Sequence, residues 1–118
     1  MTMARRNGDP DNKNVSHELL TYEGMQKRVN WCYIEMGKNN NALIAPVGEV
    51  WGTIREEKPS LNLYADNVHP NVTGTYLAAC VFYVTFFGET STGSSISAGV
   101  NRASAEYIQM VVNRIVLK

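Results

Sequence analysis

The sequence predicts an α/β fold, helix-rich and with few strands, and three observations carry that prediction. Four segments, 22–38, 47–58, 75–87 and 103–117, have helical spacing or helical length. The short apolar run at 42–45, Ala-Leu-Ile-Ala, stands between Asn39-Asn40-Asn41 and Pro46, as a buried strand would. It leads straight into a helix, and strand followed by helix is the signature of α/β layering. At 118 residues the chain is one domain or less, able to bury roughly two thirds of its unfolded surface.

Residues 5–20 are polar and full of breakers, from Asn7-Gly8-Asp9-Pro10 onward, and read as a surface loop. Asp9 and Asp11 open like a calcium loop, but Lys13 and the absence of a glutamate at the twelfth place remove that reading. From 22 to 38, Tyr22, Met25, Val29, Cys32, Tyr33 and Met36 recur at helical spacing behind Thr21 as N-cap, with Met25 and Met36 expected as core filler. Pro46 suits the first turn of the next helix, whose Val47, Val50, Trp51 and Ile54 form one face before Pro59 ends it. Residues 61–64 are a short extended piece, and residues 1–4 are a second candidate strand remnant.

Residues 75–87, TYLAACVFYVTFF, are apolar on nearly every side. Periodicity cannot choose there between buried helix and strand; the length favours helix, and Gly88 suits the residue beyond a helix C-terminus. The Gly/Ser/Thr stretch 89–99 is expected to be a linker. Ser94 and Ser95 lack the strand-to-helix turn of a nucleophile elbow. The last helix is expected after Asn101, burying Tyr107, Ile108, Val111, Val112 and Ile115.

Composition excludes several function classes. Lys plus Arg equals Asp plus Glu at 11 each, so nothing electrostatic suggests nucleic acid or an anionic membrane as partner. No apolar run reaches the roughly 18 residues of a membrane span, and no export signal opens the chain as given, which leaves the compartment open. Cys32 and Cys80 stand in apolar stretches as buried free thiols, with a disulfide as the alternative. No CxxC or His/Cys cluster supports a metal, and no cofactor is expected. Asn14-Val15-Ser16 and Asn71-Val72-Thr73 match the glycosylation sequon by pattern alone.

The chemistry concentrates at Asp66 and His69, three residues apart in LNLYADNVHPNVTG. A carboxylate that fixes the tautomer of an imidazole and stabilises the imidazolium makes it a useful general base. Asp66-Asn67 favours a turn, and Pro70 keeps His69 out of a helix, so the pair sits on a loop at an element boundary. Arg5, Asn7 and Asp9 could line a cleft there or belong to a plain surface loop, and His17 sits among polar residues as a solvated side chain.

Asp66, His69, Pro70 and Gly74 resemble the last conserved block of the SGNH (GDSL-like) hydrolases, an Asp-x-x-His followed by Pro and a later Gly. RRNGDPDN at 5–12, TYEGMQ at 21–26, NNALIAPVGEVW at 40–51 and TYLAACVFYVTFFGETSTGS at 75–94 look like the C-terminal half of bacterial members of that superfamily. The resemblance implies the C-terminal part of a three-layer α/β/α, flavodoxin-like domain. It implies that His69 takes a serine proton while Asp66 orients it, on carboxylic esters of small molecules or carbohydrates. The family's Gly-Asp-Ser nucleophile block and its oxyanion glycine and asparagine have no match here; Gly8-Asp9 runs into Pro10. The chain is therefore expected to lack the nucleophile half, which is its expected partner, and to be inactive alone. The alternative is a non-catalytic fragment or docking module.

Overall fold

The computed structural model describes residues 2–12 and 14–117. Two short 3-10 turns, Pro10–Asn12 and His17–Leu20, precede four helices: α1 (Tyr22–Asn40), α2 (Val47–Glu57), α3 (Val72–Phe87) and α4 (Arg102–Val116). The molecule is helix-rich, and all four expected helices are present.

Local chemistry sets their ends. The Thr21 side chain accepts from the Gly24 N–H to start α1, and Asn41 ends it in the left-handed region at φ 49°. Asn71 and Asn101 cap α3 and α4 by accepting from the Gly74 and Ser104 N–H groups, each at 2.9 Å. Gly88 terminates α3 at φ 65°, a conformation that costs a glycine little. Pro46 stands at the α2 cap, and the helix stops at Lys58, before Pro59.

The core forms where α2, α3 and α4 pack against one another. Val50, Trp51 and Ile54 of α2 cluster with Leu77, Val81 and Val84 of α3 and Ile108, Val111 and Val112 of α4, and the loop that joins α2 to α3 adds Leu63. Each such buried side chain contributes roughly 1.5–3 kcal/mol. The α2 face expected from Val47, Val50, Trp51 and Ile54 is buried as a unit; on α4, Tyr107 and Ile115 are half-buried at the rim.

The expected strand at 42–45 does not form. Leu43 is 68% exposed, and the Ala42 N–H bonds the Gly37 carbonyl as part of the α1 cap instead of a ladder partner. A strand needs a neighbour to pair with. Among the described residues the only bridges are isolated ones, Arg6 with Gly8 and Tyr64 with Pro70. The remnant expected at 1–4 begins outside the described residues; from 2 to 4 there is no strand, although Ala4 is fully buried.

α1 buries less than its spacing suggests. Tyr22 and Gln26 are buried, Met25, Val29, Cys32 and Tyr33 are half-buried, and Met36, expected as core filler, is exposed. In its C-terminal half only Gly37 is buried, with the Ile44 side chain close beside it, and Met36 stays 52% exposed. Cys32 and Cys80 are both free thiols, Cys80 buried and Cys32 half-buried. Among the described residues no helix is long and apolar enough to cross a membrane.

Candidate functional site

The loop that carries Asp66 and His69 is closed at its base like a small hairpin. The Ala65 N–H donates to the His69 carbonyl at 2.9 Å, and the Asn71 N–H to the Leu63 carbonyl at 3.0 Å. The Asn71 side chain ties both ends: its Nδ2 donates to the Asn62 carbonyl at 2.9 Å while its Oδ1 caps α3. With both amide atoms committed, the sequon at Asn71 is occupied structurally. Below the loop, Trp51 meets the Tyr64 ring edge-on with centroids 5.0 Å apart. Gly74 lies so close to the Leu63 carbonyl and the Trp51 ring that a Cβ there would overlap both.

Within that frame Asp66 uses both oxygens. Its Oδ1 accepts from the backbone N–H groups of Val68 at 2.7 Å and His69 at 2.6 Å. Its Oδ2 lies 2.9 Å from His69 Nδ1. The His69 N–H, then the His69 ring, then the Val68 N–H hold the carboxyl well below the usual aspartate range, because each stabilises the charged form. A carboxylate at Nδ1 selects the Nδ1–H tautomer of the neutral ring and leaves Nε2 free to accept a proton. The His69 side chain is 72% exposed and that of Asp66 58%.

A groove of about 1140 Å³ begins at the loop's flanks, Ala65, Pro70 and Asn71, and runs along α3 past Thr75 and Ala79 to Tyr83. Its opposite wall is the 89–99 stretch, expected to be a linker but anchored to α4 by side chains. Asn113 accepts from the Ser91 N–H at 3.2 Å and donates to the hydroxyls of Thr90 and Thr92. Gln109, 2% exposed, accepts from the Gly93 N–H at 3.0 Å and donates to Tyr76 Oη at 2.7 Å. Burial pushes the Tyr76 hydroxyl and the Cys80 thiol upward in pKa. Gln109 and Asn113 were legible as polar residues on an otherwise apolar helix stripe, a pattern that calls for buried partners.

The other candidates fall elsewhere. Arg5 pairs with the buried Asp9 at 3.2 Å and Asn7 is exposed; none of the three lines the groove expected of them as a cleft. Ser94 borders the groove, but its Oγ accepts from the Ile96 N–H, and no hydrogen bond joins Ser94 or Ser95 to His69. His17 is exposed in the second 3-10 turn. Among the described residues no three His, Cys, Asp or Glu side chains are placed to hold a metal ion. Comparison with known protein families, curated proteins and solved structures finds no match for this chain.

Proposed function

We propose that Asp66 and His69 are the aspartate and histidine of a Ser-His-Asp triad in an ester hydrolase of the SGNH (GDSL-like) type, the serine being supplied from outside residues 1–118. The observation that carries this is the 2.9 Å contact between Asp66 Oδ2 and His69 Nδ1, on an exposed loop at the end of a groove. In that arrangement His69 Nε2 takes the proton from the serine hydroxyl as it attacks the ester carbonyl, while Asp66 stabilises the imidazolium. The proton then passes to the leaving alkoxide, and water releases the acyl group by the same route in reverse. The substrates are carboxylic esters of small molecules or carbohydrates, and the chemistry calls for no cofactor.

The same proposal includes the finer fold, the C-terminal part of a three-layer α/β/α domain whose parallel sheet comes mostly from the missing half. What supports it is the outer face of α3, where Phe82, Phe86 and Phe87 are exposed along a helix with no polar side. That face equally supports a second function, a non-catalytic module that docks through α3. The two separate on one measurement. The 118-residue chain alone should hydrolyse p-nitrophenyl acetate no faster than free histidine. A chain extended by in-frame upstream sequence carrying a Gly-Asp-Ser block should be an esterase that His69→Ala weakens on the order of 10⁴-fold or more. Full activity of the extended His69→Ala chain would remove the triad and leave the docking module.

A further inference from the structure

Arg5, Arg102 and Arg114 each pair with a carboxylate, at Asp9, Glu106 and Glu57. Arg6 and Arg55 do not: among the described residues no carboxylate lies within ion-pair distance of either, although both are half-buried. Their guanidiniums are nevertheless fixed. Arg6 Nη2 donates to Asn62 Oδ1 at 3.0 Å and to the Tyr64 carbonyl at 3.4 Å. Arg55 Nη1 donates to the Arg6 carbonyl at 3.1 Å and to Tyr64 Oη at 3.2 Å. Both charges lie by the Tyr64 ring, their Cζ atoms 5.2 and 5.5 Å from its centroid, and Arg55 also stacks 3.7 Å from that of Tyr22.

These bonds engage one terminal nitrogen of each fork. Nε and the second terminal nitrogen of each make no further hydrogen bond among the described residues. A hollow of about 300 Å³ is lined by both arginines together with Asn62, Tyr64 and the apolar Pro59 and Leu61, and by no carboxylate. That volume is at the small end of ligand pockets, roughly 300–1,000 Å³. Two half-desolvated like charges lining one hollow without a carboxylate are unfavourable, and an anion bound in that hollow reverses the sign of that term. A planar carboxylate is satisfied by a single fork; two forks lining one hollow offer more donors than it can use, which suits an oxyanion with three or four acceptor oxygens.

We propose that Arg6 and Arg55 form a binding site for a phosphate-type oxyanion. The Arg6 N–H donates to the Asn67 carbonyl at 2.9 Å, so the site abuts the Asp66–His69 loop without depending on the catalytic proposal. Inorganic phosphate is titrated into the 118-residue chain at low ionic strength, with amide shifts recorded residue by residue and acetate as the parallel arm. Saturable shifts confined to Arg6, Arg55 and residues 61–64 are expected, with acetate at least tenfold weaker. Arg6→Gln should weaken phosphate at least tenfold with helicity and Tm retained, while Arg28→Gln leaves it unchanged. If Arg6→Gln does not fold, Arg6→Lys, which keeps the charge and loses the fork, should show the weakening. Shifts that never saturate, or phosphate affinity unaltered in the folded Arg6 variant, would overturn the site. Acetate binding as tightly as phosphate would overturn its preference for a phosphate-type oxyanion.

Discussion

At the scale of single residues, Asp66 is an exposed side chain held at both oxygens that can accept. Three donors converge on its two oxygens, two of them backbone N–H groups that no side-chain substitution removes. Because its folded pKa is depressed, the stability it contributes is present above the ordinary aspartate value of about 3.9 and is lost as pH falls through the lower folded value. Carbon-detected titration should therefore find the Asp66 carboxyl still ionised where solvated aspartates are half protonated; an ordinary titration would mean the Asx turn does not persist in solution. In Asp66→Ala, nitrogen shifts of His69 should move from the Nδ1–H tautomer toward Nε2–H, since among the described residues no other hydrogen bond reaches Nδ1. The thiols separate in the same way. Cys80 is buried on the groove wall with its pKa raised by that burial, so it should react with a disulfide reagent well after half-buried Cys32. Equal rates at the two positions would contradict the packing of α3 against α4.

At the scale of elements, α3 is the part on which the loop, the core and the groove all depend. Its first turn holds Gly74 against the Leu63 carbonyl and the Trp51 ring, so the helix can approach the loop only where there is no side chain. Gly74→Ala must push either backbone or indole aside and should cost about 1–3 kcal/mol in a denaturant titration. Asn71→Ala removes an N-cap and a tie across the loop base together. It should cost more than Asn101→Ala, which removes a cap alone and is worth about 1 kcal/mol. Equal losses would show that the Asn71 Nδ2 bond to Asn62 adds nothing. The wall formed by 89–99 depends on α4 through Gln109 and Asn113, and replacing Asn113 with Leu should loosen that segment, as read by amide exchange, while α4 itself stays protected.

At the scale of the whole molecule, the apolar surface is unevenly covered. Trp31, Ile34 and Met36 on α1 and Phe82, Phe86 and Phe87 on α3 are exposed, Phe87 by 67%. Phe82 and Phe86 stack on each other at 5.9 Å, with no other aromatic partner for either. Apolar side chains grouped in this way favour association and dye binding. The isolated chain should bind a hydrophobic dye and associate with rising concentration in sedimentation velocity, with Phe86→Ser and Phe87→Ser together reducing both. A dye-free monomer with a sharp cooperative transition would show that these faces need no cover.

What the sequence determined by itself is what local chemistry controls. Thr21, Pro46, Asn101 and Gly88 set helix ends because capping and turn preferences act over three or four residues, and the apolar stripe of α2 is buried as its spacing predicts. Asp66 and His69 were legible as a pair because they stand three residues apart on a short loop ended by Pro70; they lie 2.9 Å apart, and the Arg6 N–H and the Asn71 side chain brace that loop from outside it. What only the tertiary structure decided depends on distant partners. Residues 42–45 have the composition of a strand, but a strand exists only when another pairs with it, and none does here. Whether Met36 is core, whether 89–99 is a wall, and whether Arg6 meets Arg55 across 49 residues are decided by packing that no local pattern encodes.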